Sequence, residues 1–221
     1  MKYKCLVLDH DDTVVNSTAT IHYPCFVKFL EDFYPHLVNN YNLENFYEKN
    51  FHPGVIHLFK EEIGMTDEEM AEEEKYWADF VETITPEAYP GMKEIISRFR
   101  AEGGVIAVVS HSLTRYIERD YRANGLPFPD VIYGWDIPKE RRKPSPWCIH
   151  DLCERYSLSP SEILVVDDLK PGYDMARGGG AHFAAAGWAH DVRSIESFMR
   201  KNCDYYFKTT EELSEMLFAE M

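Results

Sequence analysis

The sequence has little positive charge. In 221 residues, 23 Lys and Arg stand against 38 Asp and Glu, a formal net charge of −15. That balance speaks against nucleic acid or an anionic membrane as partner, because both demand clustered Lys and Arg. It leaves room for a small anionic ligand, since a few local cations or a metal ion outweigh the global field. Cysteine is also scarce. Cys5, Cys25, Cys148, Cys153 and Cys203 are odd in number and lack framework spacing. They predict buried or free thiols in a reducing, cytoplasmic setting. Long apolar runs are missing as well: no window approaches a membrane span. The first apolar stretch is short and ends on Asp9, so no signal peptide is expected. There is no internal repeat and no low-complexity segment. Core material, by contrast, is ample. At 45% hydrophobic and 14% aromatic residues, the chain can build one domain, or one domain with a smaller insertion.

Residues 3–8 read as a strand buried on both faces. No comparable strand signal follows until about residue 88. Helical patterns fill that interval instead, at roughly 20–34, 42–50, 54–63 and 66–83. The last opens on a capping box of Thr66 with Glu69 and carries an apolar stripe of Tyr76, Trp77, Phe80, Val81 and Ile84. After a helix at 91–102 that reaches Gly103-Gly104, a C-cap signal, strands and helices alternate. Strands are expected at 105–109, 131–133, 163–166, 182–186 and 205–207. Helices are expected at 114–124, 145–156, 171–178, 192–201 and 210–218. Such alternation predicts an α/β fold: a Rossmann-like parallel sheet with helices on both faces. The core domain is expected at 1–15 and 89–221, with an inserted all-helical domain at 16–88.

Ligands of open parallel sheets bind beyond the carboxyl ends of the strands. The first strand ends in LVLDHDDTVV, where Asp9, Asp11 and Asp12 crowd into four positions. Carboxylates about 4 Å apart repel by about 4 kcal/mol at an effective dielectric near 20, so the cluster needs an offset. The second strand ends at Ser110-His111-Ser112, a later loop carries Lys143-Pro144, and the fourth strand ends at Asp167-Asp168. Taken singly, each has a plain reading: a turn, a strand-end hydroxyl, a solvated basic loop, a helix N-cap. Taken together, they compose a site with carboxylates for a hard divalent cation, and a hydroxyl and an ammonium for an anion. Oxygen ligands favour Mg²⁺.

DHDDTVV, VVSHS, KPSP and VVDDLKPG, in that order, resemble the four motifs of the haloacid dehalogenase superfamily. The helical insertion resembles that family's C1-type cap. The acidic pair followed by Gly172 is similar to the subgroup of phosphoglycolate phosphatase and β-phosphoglucomutase. The resemblance implies that Asp9 is the nucleophile of an aspartyl-phosphate mechanism and Asp11 the general acid and base. It implies that Thr13, Ser110 and Lys143 hold phosphate. His111 is a further candidate there, though a packed or exposed histidine reads equally well. Asp9, the backbone carbonyl of Asp11, Asp168 and Asp167 are expected on Mg²⁺. Two positions depart from the family pattern. Asp12 stands where glycine is usual, and Leu169 where serine is frequent.

The expected activity is Mg²⁺-dependent hydrolysis of a small phosphorylated metabolite. A phosphomutase is the alternative within the family, and a receiver-like or catalytically idle phosphate-binding protein the alternative outside it. Dehalogenase and phosphonatase chemistry rank lower because Asp11 is present. The insertion's aromatics (Tyr23, Phe26, Phe29, Phe33, Tyr34, Phe46, Tyr47) read either as a lid over the site or as the insertion's own core. Oligomeric state has no signature in the sequence.

Overall fold

The computed structural model describes residues 2–219. Its frame is a six-stranded, all-parallel sheet in the order β5-β4-β1-β6-β7-β8. The strands are β1 (Cys5–Leu8), β4 (Val105–Val109), β5 (Val131–Tyr133), β6 (Ile163–Asp167), β7 (His182–Ala186) and β8 (Tyr205–Phe207). Helices α5 (Met92–Ala101), α6 (Thr114–Ala123), α7 (Trp147–Tyr156), α8 (Lys170–Gly179), α9 (Arg193–Asn202) and α10 (Thr210–Phe218) alternate with them. All four residues of β1 are fully buried, which is why the strand reads as an unbroken apolar run rather than an alternation. Leu6 and Leu8 share one cluster with Ile106, Val108, Leu164, Val166, Phe99 and Tyr121.

The strand order fixes where chemistry can gather. After β1 the chain builds outward through β4 and β5, then returns to β1's other side for β6. The carboxyl end of β1 is therefore a topological switch point, flanked by the ends of β4 and β6.

The chain divides into two compact units: residues up to Asn16 together with those from Glu87 onward, and Ser17–Pro86. The two crossings are joined by a short antiparallel ladder of β2 (Val15–Asn16) and β3 (Glu87–Ala88). Two-residue strands carry no periodicity, so sequence patterning gave no sign of them. They put Asn16, Glu87 and Ala88 with the sheet unit.

The second unit is helical. It comprises α1 (Tyr23–Phe33), α2 (Leu43–Phe51), a short α3 (Val55–His57) and α4 (Asp67–Glu82). π-helical turns at Thr18–His22 and Leu58–Ile63 run into α1 and out of α3. Phe26, Phe29, Leu30, Phe46, Leu58 and Phe59 form its core, with Tyr23 and Tyr34 packed against them. Five of the seven aromatics singled out in the sequence are thus accounted for as the unit's own core or its packing. Phe33 remains 52% exposed. None of the helices described is long and apolar enough to cross a membrane, and all five cysteines are free thiols.

The capping box is present in full. Thr66 Oγ1 accepts from Glu69 N at 3.2 Å, and Glu69 Oε2 accepts from Thr66 N at 2.8 Å. Replacing Thr66 by Ala removes one half of that exchange and should cost about 1 kcal/mol, read as a lowered urea midpoint at unchanged m-value.

Candidate active site

β1 hands over to the site without losing its ladder. Asp9 N still donates to Val166 O at 2.9 Å. The chain then folds back on itself: Val14 N and Val15 N both donate to His10 O, and Asp12 N donates to Val15 O at 2.7 Å. Asp12 supports this reversal with φ +56°, in the left-handed region that Asp tolerates better than most residues.

Successive side chains leave in alternating directions, as extended backbone dictates. Asp9, 4% exposed, faces Lys143. His10 turns away and sets Nε2 3.0 Å from Asp120 Oδ2 in α6, with its ring stacked on Tyr121. Asp11 accepts a 2.5 Å hydrogen bond from Ser112 Oγ. Thr13 is fully buried, and its Oγ1 has no hydrogen-bond partner.

Lys143 is the cation that offsets the carboxylates. Its Nζ donates to Asp167 Oδ2 at 2.7 Å and lies 2.9 Å from Asp9 Oδ1, an ion pair not aligned as a hydrogen bond. Burial works against an ammonium, but Asp167 and Asp9 together outweigh it and hold Lys143 above lysine's ordinary pKa. Asp167 moves upward too, chiefly through burial and then through Asp9, with Lys143 opposing. Asp168 lies well above the usual carboxylate range. Burial is the leading cause, followed by the charges of Asp12, Asp167 and Asp9.

Asp9, Asp167 and Asp168 each offer an oxygen within 4.8 Å of the others'. Asp168 Oδ1 is buried with no hydrogen-bond partner. Three buried carboxylates face one buried ammonium, a formal excess that one divalent cation would cancel. An orphaned oxygen beside such an excess is what a cation site requires, and the donor set is all-oxygen, as hard cations demand. The residues therefore fit a metal ion.

Lys143 belongs to this cluster, and Ser110 follows β4, the strand paired with β1. Ser110 Oγ accepts from Ser112 N at 3.1 Å, so its hydroxyl hydrogen stays available to an anion. His111 lies beside Lys143, and the charges of Lys143, Asp9 and Asp11 all act on its ring. It is exposed, its Nε2 sits 3.1 Å from the backbone oxygen of Lys143, and its ring meets Trp135 edge-on.

Four contributors went unassigned from the sequence. Ser112 orients Asp11; its signal was the two-residue spacing from Ser110. Asp120 secures His10; its signal was an acid on the otherwise apolar face of α6 formed by Tyr116, Ile117 and Tyr121. Trp188 Nε1 donates to Thr13 O at 3.2 Å, a contact no local pattern announces. Gly172 is required sterically, since a Cβ there would lie 2.0 Å from Asp167 Oδ2.

A doubly wound parallel sheet with a helical insertion after β1, and a buried aspartate cluster at its switch point, defines a Rossmann-like α/β protein. Residues 6–186 match the haloacid dehalogenase-like hydrolase family, and the chain belongs to it. It is 27% identical over 131 residues to the phosphoglycolate phosphatase of Haemophilus influenzae, covering 58% of this chain and 57% of that one. The chain thus spans a little over half the length of the curated relatives it first matches. The inferred phosphoglycolate phosphatase of Lactobacillus delbrueckii subsp. bulgaricus superposes with a TM-score of 0.76 at 19% identity, covering 100% of both chains. CbbY of Rhodobacter sphaeroides in complex with phosphate gives 0.69 at 17%, covering 96% of each. At such identities the likeness concerns the fold.

Removing the buried ammonium should be severe. Lys143→Met leaves Asp9 and Asp167 facing each other and should cost about 3–5 kcal/mol in urea unfolding without divalent cations. Gly172→Ala drives a methyl into Asp167 and should cost about 1–3 kcal/mol in the same assay.

Proposed function

We propose that this protein is a Mg²⁺-dependent phosphatase that hydrolyses a small phosphomonoester through an aspartyl-phosphate on Asp9. The observation that carries the reading is the buried Asp9 carboxylate at the end of β1, flanked by Lys143 and by Asp167 and Asp168. A carboxylate is a poor nucleophile toward an anionic phosphoryl group unless local charge is neutralised. Lys143 supplies part of that neutralisation. Mg²⁺, held by Asp9, Asp168 and the Asp11 carbonyl, would supply the rest by drawing negative charge from the phosphoryl oxygens. Asp167, whose two oxygens accept from Lys143 and Leu169 N, would act on the ion directly or through water.

In the first step an Asp9 oxygen attacks phosphorus and the ester oxygen departs. Asp11 gives that oxygen a proton. Ser112 Oγ donates to Asp11 Oδ2 and orients the carboxyl group. Thr13 Oγ1 and the Ser110 hydroxyl donate to the phosphoryl oxygens; Thr13 has no competing partner. In the second step Asp11, now a carboxylate, takes a proton from water as it attacks the aspartyl-phosphate. Phosphate leaves and Asp9 is restored. Trp188 keeps Thr13 in place through its backbone oxygen.

Family membership supports this chemistry, and the phosphoglycolate phosphatase relatives make phosphoglycolate the first substrate to try. The test is Mg²⁺-dependent release of p-nitrophenol from p-nitrophenyl phosphate, followed by a panel of phosphorylated metabolites. Asp9→Asn should reduce turnover to the uncatalysed background. Asp11→Asn should lose about 10²–10⁴-fold while still accumulating a phosphorylated protein, detectable by mass. Full activity in Asp9→Asn would overturn the reading.

A further inference from the structure

The helical unit holds a cleft of about 110 Å³ that the chemistry above does not use, lined by Phe29, Phe33, Tyr34, Glu69 and Glu72. One wall is aromatic. The Phe29 ring centroid lies 4.8 Å from that of Phe33 and 6.0 Å from that of Tyr34. Phe29 is buried in the unit's core and anchors the wall. Tyr76 meets Phe29 and Phe33 edge-on and fixes their tilt. Phe33 nevertheless stays half exposed.

The other wall is acidic. Glu69 and Glu72 stand three residues apart on α4, so they share a helix face. The capping box holds Glu69, whose Oε2 accepts from Thr66 N at 2.8 Å. That bond, and then the Tyr34 hydroxyl, keep its carboxyl below the usual range, so it is charged at neutral pH. Nearby acids have cationic partners: Asp32 pairs with Lys28 at 2.6 Å, and Asp67 with Lys60. Among the described residues, no basic side chain pairs with Glu69 or Glu72. An exposed ring and an unmatched pair of like charges therefore face one cleft. A ligand that is both positive and apolar at its surface relieves both. A strongly hydrated inorganic cation gains little from ring faces, whereas an alkylated ammonium sets its carbons on the rings and its charge beside the carboxylates.

We propose that this cleft binds a small organic ammonium ion, with its alkyl groups against Phe29, Phe33 and Tyr34 and its charge beside Glu69 and Glu72. The site lies wholly within the helical unit, and no part of the inference depends on the catalytic reading.

The probe is choline chloride, titrated into the purified full chain at constant ionic strength. Calorimetry and the proton NMR signal of the choline methyl groups follow the binding. Saturation at about 1 mM is expected, with the methyl signal moved upfield by the rings. The neutral analogue of choline, in which carbon replaces nitrogen, should bind about tenfold more weakly or worse. Phe33→Ala keeps every charge and removes an exposed ring. Glu72→Gln keeps the shape and removes one charge. Each should weaken choline binding by about fivefold, with thermal melts confirming the fold. If Phe33→Ala binds choline as the parent does, the cation is held by the chain's net charge alone and the proposal is wrong. Equal binding of choline and its neutral analogue would reduce the cleft to an apolar crevice and overturn it too, as would titration without saturation.

Discussion

The burial of one ammonium between two carboxylates governs this structure. Lys143 lies between Asp9 at the end of β1 and Asp167 at the end of β6, with each side chain withdrawn from water. Desolvating three charged groups is expensive unless geometry repays it. Here the repayment comes from a register that no loop could imitate. Two adjacent parallel strands terminate at the same height, so their final acids converge on a single point. The loop between β5 and α7 has to deliver a lysine to that point. The strand order, the closeness of α8 and the need for glycine at 172 all follow from keeping those three groups within reach of one another.

Much of this was legible because strand ends are legible. A fully buried strand appears as an apolar run, and the polar residues just beyond it are the ones the sheet presents at its edge. Asp9, Ser110 and Asp167 were readable on that basis alone. The capping box at Thr66 was readable because both halves lie within four residues. The partners of these groups were not. Asp120 lies more than a hundred residues from His10, and Trp188 lies still further from Thr13. Such contacts depend on how helices and loops settle on the sheet, which local periodicity does not encode. The β2–β3 ladder escaped for a simpler reason: two residues are too few to show a period.

The two departures from the family pattern become intelligible in physical terms. Leu169 cannot cap a helix with its own side chain, and α8 starts without one. Asp167 Oδ1 accepts the Leu169 N–H instead, at 2.8 Å. The capping acceptor comes from two residues upstream, and a site residue takes on a structural duty. Asp12 keeps the positive φ that glycine would provide and adds a charge that glycine would not.

Asp167 and Asp168 are chemically identical neighbours, yet the fold gives them different work. Asp167 is the last residue of β6 and remains in its ladder. Its carboxylate accepts from Lys143 on one oxygen and from the Leu169 N–H on the other, and it packs directly against Gly172. Asp168 lies one residue past the strand, and its Oδ1 is buried with no hydrogen-bond partner. A carboxylate held by two donors keeps its geometry; a buried oxygen without a donor is costly until something pairs with it.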